Sequence, residues 1–227
     1  MAAADHPGAD AGPAAGTTTA PRTGWRERKK QQTREALSWA ALRLAVERGL
    51  ENVRVEDIAA EAGVSPRTFN NYFSSKQEAV VCRQTDRVRQ AADALRRRPP
   101  DEPLWQAVDH VAQELFADSN STPDARWTRA VSELVNHPSL RGAYLKGAAA
   151  AEQSFAAAVA ERTGGDPERD LYPKLVAAVF QTALRVAADQ WLRADPPTPM
   201  RPLLREAVQL LAAGLPEPAA RPAGDPS

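Results

Sequence analysis

Residues 55–73, VEDIAAEAGVSPRTFNNYF, constrain this chain more than any other segment. They read as two short helices joined by a tight turn. Ile58, Ala59 and Ala62 form the packing side of the first, and Glu56 and Asp57 place negative charge in its first turn, where the helix dipole favours it. Gly63 can take the left-handed conformation that ends a helix, and Val64 is the apolar residue of the turn. Ser65-Pro66 then opens the second helix. Ser65 offers a capping oxygen, and Pro66 fits the first helical position, where an N–H is not needed. Phe69 and Phe73, four apart, give one inward stripe. The opposite face carries Arg67, Thr68, Asn70, Asn71 and Tyr72, side chains that hydrogen-bond base edges or phosphates. The layout is that of a DNA-reading helix-turn-helix; the alternative is two ordinary helices of an α-helical protein.

Around this segment the wording extends to LSWAALRLAVERG upstream and TFNNYFSSKQEAV downstream. Over Arg34 to Val80 the chain resembles the DNA-binding domain of the TetR family of bacterial transcriptional regulators. The match is most specific at Gly49, Ile58-Ala59, Ala62-Gly63-Val64-Ser65, Thr68, Tyr72-Phe73 and Ser75-Lys76. RERKKQQTREAL and VSPRTFNNYFSSK look especially like actinobacterial members. Two positions depart from the pattern: Arg54 stands where a small hydroxyl residue usually precedes the motif, and Asn70 where an aromatic residue is common. The resemblance implies that Ser65, Thr68, Tyr72 and Lys76 contact phosphates, with Arg54 and Pro66 at the same surface. Arg67 and Asn71 are the leading base readers, because Arg pairs with guanine and Asn with adenine through two hydrogen bonds; Asn70 is a third candidate.

The 227 residues carry no net charge, but its distribution is uneven. Residues 22–98 hold 17 Lys+Arg against 10 Asp+Glu, and the remainder 12 against 19. A basic N-terminal half with an acidic C-terminal half fits a DNA-binding domain joined to a regulatory one. The single cysteine, Cys82, excludes an intrachain disulfide and reads as packing rather than as a redox sensor; a reducing cytoplasm, at the nucleoid, is the expected setting. Residues 1–21 lack the apolar core of a signal peptide and read as a disordered tail, as do residues 216–227. No membrane span is expected.

Helical periodicity continues throughout, without strand patterns or repeats. A first helix from about Gly24 to Arg48 has the stripe Leu37, Ala41, Leu44. A fourth begins at a Ser75–Glu78 capping box and runs to Arg98 before Pro99-Pro100. A fifth carries Leu104, Val108, Val111 and Leu115. A sixth starts at Thr122-Pro123 with Trp127, Val131 and Leu134 on one side. A seventh covers about Ser139–Arg162, an eighth Leu175–Arg193 and a ninth Met200–Ala213. The expected fold is all-α with about nine helices. A helix-turn-helix domain spans 22–80, and a helical ligand-binding and dimerisation domain spans 81–215.

The eighth helix aligns Val176, Phe180, Ala183, Ala187 and Trp191. The ninth aligns Leu203, Ala207, Leu210 and Gly214, widened by Leu204, Val208 and Leu211. Stripes this wide can serve the chain's own core, a partner, or both. The resemblance implies a two-fold homodimer joined by a four-helix bundle, with Phe180, Ala183, Ala187, Trp191, Leu203, Ala207 and Leu210 at the seam. It also implies an inducer pocket among the central helices for a small hydrophobic or amphipathic effector. Trp105 and Trp127 are its candidate walls, core packing being the alternative.

Signals for enzyme chemistry are poor. No zinc spacing, phosphate loop or nucleophile elbow occurs, and neither metal nor cofactor is expected. His110 and Glu114, four apart, read as a solvated pair, and Asp166, Glu168 and Asp170 as charge at a helix start. Arg26, Arg28, Lys29, Lys30 and Arg34 read as phosphate contacts beside the motif; Arg96-Arg97-Arg98 read as a C-terminal helix cap. The expected function is a ligand-responsive repressor that binds palindromic double-stranded operator DNA as a dimer. A constitutive DNA binder or activator is the first alternative. A helical enzyme or interaction protein that has lost DNA binding is the second.

Overall fold

The computed structural model describes residues 21–117 and 124–217. Among these the chain is all-α, with nine α-helices and no strand. They are α1 (Pro21–Arg48), α2 (Val55–Glu61), α3 (Pro66–Tyr72), α4 (Lys76–Arg97), α5 (Leu104–Glu114), α6 (Ala125–Val135), α7 (Arg141–Thr163), α8 (Leu171–Arg193) and α9 (Met200–Ala212). Short 3₁₀ turns at Leu50–Asn52 and Pro138–Leu140 lead into α2 and α7. No described helix is long and apolar enough to cross a membrane. Of the tails expected at 1–21 and 216–227, residues 1–20 and 218–227 lie outside the described residues, as does Thr122-Pro123.

Local chemistry sets most boundaries. Ser65 Oγ accepts from Thr68 N at 3.1 Å and Ser75 Oγ from Glu78 N at 3.1 Å, capping α3 and α4. Glu78 does not complete a box with Ser75; its carboxylate takes the N–H and hydroxyl of Ser74 instead, at 2.9 and 2.7 Å. Asp124 caps α6 through the N–H groups of Arg126 and Trp127. Gly63, at φ +68°, makes the turn of the motif, a backbone conformation that L side chains rarely adopt. α8 starts four residues before the sequence-based start, because Pro173 is tolerated within a first helical turn.

Two apolar cores meet along α4. The first joins α1, α2 and α3 to Ala79–Cys82, and it also takes Leu134 of α6 and Leu140. The second joins Val88–Leu95 to α5, α7, α8 and α9, around the stacked rings of Phe155 and Phe180, 4.4 Å apart. α6 lies against both α8 and α1, and its Trp127 and Val131 pack on the first core. This separates the two tryptophans expected to share a pocket, since Trp105 packs on the second core. Both are half-buried.

The stripe on α8 also faces inward. Phe180, Ala183 and Ala187 are 0, 6 and 2 % exposed within a single chain, and half-buried Trp191 packs on the same core. Phe180, Ala183 and Ala187 are corrected from dimer seam to intrachain core. α8 lies between α7 and α9, whose side chains fill the space opposite the stripe. Its outward face carries Leu171, Leu175 and Val186, each about half exposed or more. On α9, Leu204 and Val208 are buried, while Leu203 and Ala207 are half-buried and Leu210 is 42 % exposed.

Arg96 and Arg97 lie in the last turn of α4. Arg96 bridges to Glu161 at 2.9 Å and Arg98 to Glu102 at 2.6 Å. The carbonyls of Arg98, Pro99 and Glu102 accept from the guanidinium of Arg162, on α7. His110 Nδ1 meets Glu102, not Glu114, at 2.7 Å. Asp166 and Asp170 bind backbone N–H groups of their own turn.

Candidate nucleic-acid interface

α3 rests on the core through Phe69 and Phe73, 0 and 2 % exposed, whose ring centroids are 5.6 Å apart. Burying these rings turns Arg67, Asn70 and Asn71 outward together, at i, i+3 and i+4 on one exposed face. None of the three side chains has a hydrogen-bond partner among the described residues, so their donors and acceptors are open to a ligand. Pro66 is exposed at the first position of α3. Ser65 and Thr68 lie beside it with their hydroxyls 2.9 Å apart, so each is oriented by the other. Tyr72 is half-buried, its side chain against the core. Arg54 is exposed before α2; lacking a side-chain acceptor, it is held through its N–H, which donates to Asp57 Oδ2 at 2.9 Å.

Two cations have other duties than the sequence indicates. Lys76 Nζ donates to the carbonyls of Leu50, Val53 and Glu51, at 2.8, 2.9 and 3.3 Å. An ammonium has three protons, and all three are engaged on the turn that leads into α2. Lys76 is thus a strut between α4 and that turn. Arg34 is the second case. It lies in a bridge to Asp86 at 2.7 Å, donates from Nη1 to the Tyr72 carbonyl at 3.1 Å, and covers the Phe73 ring at 4.5 Å. Burial works against its charge, but Asp86 outweighs that and raises its pKa. Neither carbonyl set could be found from sequence, because a backbone acceptor leaves no residue-type signal.

Two spaces border α7. A void of about 10 Å³ lies between α4, α7 and α8, lined by Gln84, Thr85, Val88, Tyr144, Ala148, Gln181 and Leu184. Gln181 Oε1 is buried without a hydrogen-bond partner among the described residues. A cleft of about 430 Å³ opens between the start of α4 and the start of α7, with Arg34, Arg89 and Lys146 among its lining residues. Neither space is walled by Trp105 or Trp127. Arg87 is pushed down to about 10 by burial and by nearby Arg83. These two cations lie over the rings of Phe116 and Trp39 respectively.

A helix-turn-helix with an open polar face, carried on a larger helical body, defines a DNA-binding protein. Comparisons with known proteins agree with that class. Residues 39–80 match the bacterial regulatory proteins of the tetR family, and residues 102–216 match the MftR C-terminal domain. The HTH-type transcriptional regulator TcmR of Streptomyces glaucescens is 33 % identical over 178 residues, covering 76 % of this chain and 79 % of TcmR. BetI of Agrobacterium fabrum is 38 % identical over 100 residues, 41 % of this chain and 47 % of BetI. Among solved structures, the fatty acid degradation regulator FadR of Bacillus halodurans superposes with a TM-score of 0.51 at 18 % identity, covering 81 % of this chain and 96 % of FadR. A TetR-family regulator from Syntrophomonas wolfei gives a TM-score of 0.55 at 15 % identity, covering 82 and 97 %. This chain belongs to the TetR family and is a DNA-binding transcriptional regulator.

Proposed function

We propose that the protein is a cytoplasmic homodimeric repressor that reads a near-palindromic operator through α3 of each subunit and is released by a small effector. The observation that carries this reading is the open face of Arg67, Asn70 and Asn71 above a fixed Phe69–Phe73 base. Arg67 and Asn71 read bases. Ser65, Thr68, Tyr72, Pro66 and Arg54 set the helix against the backbone, and Asn70 is a third reader. Two such helices about one turn of DNA apart, roughly 34–36 Å, need a dimer.

The support for a dimer is the outward row of Leu171, Leu175 and Val186 on α8, beside Leu203, Ala207 and Leu210 on α9. Leu171, Leu175, Val186 and Leu210 are exposed enough to leave a lone subunit wet. The effector site best supported is the small void at Gln181. A buried carbonyl without a partner favours a ligand carrying a donor, and a space of about 10 Å³ holds at most one water. An effector there must part α4 from α7 and α8. It then binds the expanded state better than the closed one, which is what a switch requires.

Selection of duplexes from a random pool tests DNA reading: recovery of one inverted repeat, bound as two subunits, is expected. Sedimentation tests assembly: a wild-type monomer at micromolar concentration, or a dimer untouched by Leu175→Glu with Leu210→Glu, defeats the interface. Ala187→Glu is unsuited to this purpose, because a charge at a 2 % exposed position would unfold the subunit itself.

A further inference from the structure

The cleft of about 430 Å³ between α4 and α7 has no part in the reading above. It is separate from the void at Gln181, because buried Thr85 is the one residue that lines both. Its volume falls among those of small-molecule sites, roughly 300–1,000 Å³. Three cations line it. Arg34 and Arg89 share the carboxylate of Asp86, through Nε at 2.7 Å and Nη1 at 2.6 Å. A guanidinium offers five donors; Arg34 uses three of its own and Arg89 one. Lys146, exposed on α7, has no partner among the described residues.

Acids are fewer. Glu78 is the one carboxylate in the lining, and it is turned to the N–H and hydroxyl of Ser74. Counting Asp86 behind the arginines, three positive charges stand against two negative ones. Val81 of α4 and Ala143 and Ala150 of α7 add an apolar wall. Arg34 also donates to the Tyr72 carbonyl at 3.1 Å, and Tyr72 is the last residue of α3. One side chain therefore joins the cleft to the end of the reading helix.

We propose that this cleft is a second ligand site, for a small organic monoanion with an apolar body, and that its occupant loosens the hold of Arg34 on α3. The site rests on the cleft alone; its effect on α3 rests on the DNA-binding reading given above. The single excess positive charge selects a monoanion, and the apolar wall takes its body. An anionic group between Arg34, Arg89 and Lys146 competes with Asp86 for guanidinium forks that suit a carboxylate through paired bonds. Arg34 cannot turn toward the ligand and keep both its present partners.

The test titrates the full chain with naphthoate and with naphthamide, its neutral amide, by calorimetry. Wild type is compared with Lys146→Gln and Gly142→Trp. Gly142 lines the cleft, and a Cβ there meets nothing within 4 Å, so the indole can fill the space without crowding the core; thermal melts verify both folds. Wild type is expected to bind naphthoate at least about ten-fold tighter than naphthamide, as charge-assisted hydrogen bonds require. Lys146→Gln should weaken naphthoate roughly three-fold and leave naphthamide alone. Gly142→Trp should abolish binding of both. Saturating naphthoate should weaken wild-type binding to its selected duplex roughly five-fold or more, and leave Gly142→Trp, which meets the same added salt, unchanged. Equal affinity for acid and amide, no naphthoate binding at millimolar concentration, or binding that survives Gly142→Trp and Lys146→Gln overturns the site. Binding that Gly142→Trp blocks, with wild-type operator affinity unmoved by naphthoate, overturns the link to α3. If the wild type selects no duplex, DNA reading falls and the link with it, while the calorimetry still decides the site.

Discussion

Gly147 of α7 leaves no room beside Thr85 of α4: a Cβ there would stand 3.0 Å from Thr85 Cγ2 and 3.3 Å from its Oγ1. Thr85 has little freedom to yield. It is 4 % exposed, and its hydroxyl donates to the Cys82 carbonyl at 3.0 Å. Gly147→Val should therefore cost about 1–3 kcal/mol of unfolding free energy, the usual penalty of an overfilled contact. Gly142, on the same helix, meets nothing within 4 Å, so Gly142→Ala should stabilise by roughly 0.5 kcal/mol. Urea denaturation of the two variants gives opposite signs. Equal midpoints would mean that α4 and α7 separate freely.

Lys76→Met removes three donors from the carbonyls of Leu50, Glu51 and Val53. The protein without DNA should lose about 1–3 kcal/mol, as for a charged donor taken from partly buried acceptors. A residue that served only to bind phosphate would leave the DNA-free stability unchanged, and that result would restore the sequence-based role.

Arg67→Ala should weaken binding to the best operator by about 1–3 kcal/mol and relax preference at one base pair per half-site. Binding to an operator library at two salt concentrations measures both. If only the salt slope moves, Arg67 contacts a phosphate.

Cys82 is 3 % exposed, and burial pushes its thiol up to about 12. Thiolate, the reactive form, is therefore nearly absent at neutral pH. Iodoacetamide at pH 8 should leave the folded protein unmodified for hours and label it within minutes in guanidinium. Prompt labelling of the folded state would point to a sensor cysteine.

Glu102 is held near 2, against an ordinary 4.5, chiefly by its hydrogen bonds from Arg98, with His110 adding to them. A depressed carboxyl stabilises the fold above its unfolded value and loses that contribution as pH falls through the folded one. The melting-temperature gap between wild type and Glu102→Gln should be full at pH 6 and close between about pH 4.5 and 2. A gap independent of pH would assign the effect to packing.

What is legible in the sequence is local. Ser65, Pro66, Gly63 and the Phe69–Phe73 spacing specify the motif within a few residues of one another, and the structure follows them closely. What packs against a stripe is not local. Phe180, Ala183 and Ala187 mark a buried face of α8, but nothing within that helix says whose side chains bury it. The outward row is harder to see, because Ala178 and Thr182 interrupt it between Leu175 and Val186. Position in the chain places Trp127 with the regulatory half, yet it packs on the other core. Lys76 and Arg34 read as DNA ligands because their charge is visible in sequence and their carbonyl acceptors are not.

The chain has no hinge where its two cores meet. The 22 residues of α4 form an unbroken rod, about 33 Å long at 1.5 Å per residue, with one end in each core. A tilt of about 5° at the Val88–Leu95 end would carry the Lys76 end by about 3 Å over that length. Lys76 is fastened to the turn before α2, so such a swing would reach the reading helix as displacement of a rigid body, with no unfolding step between stimulus and response.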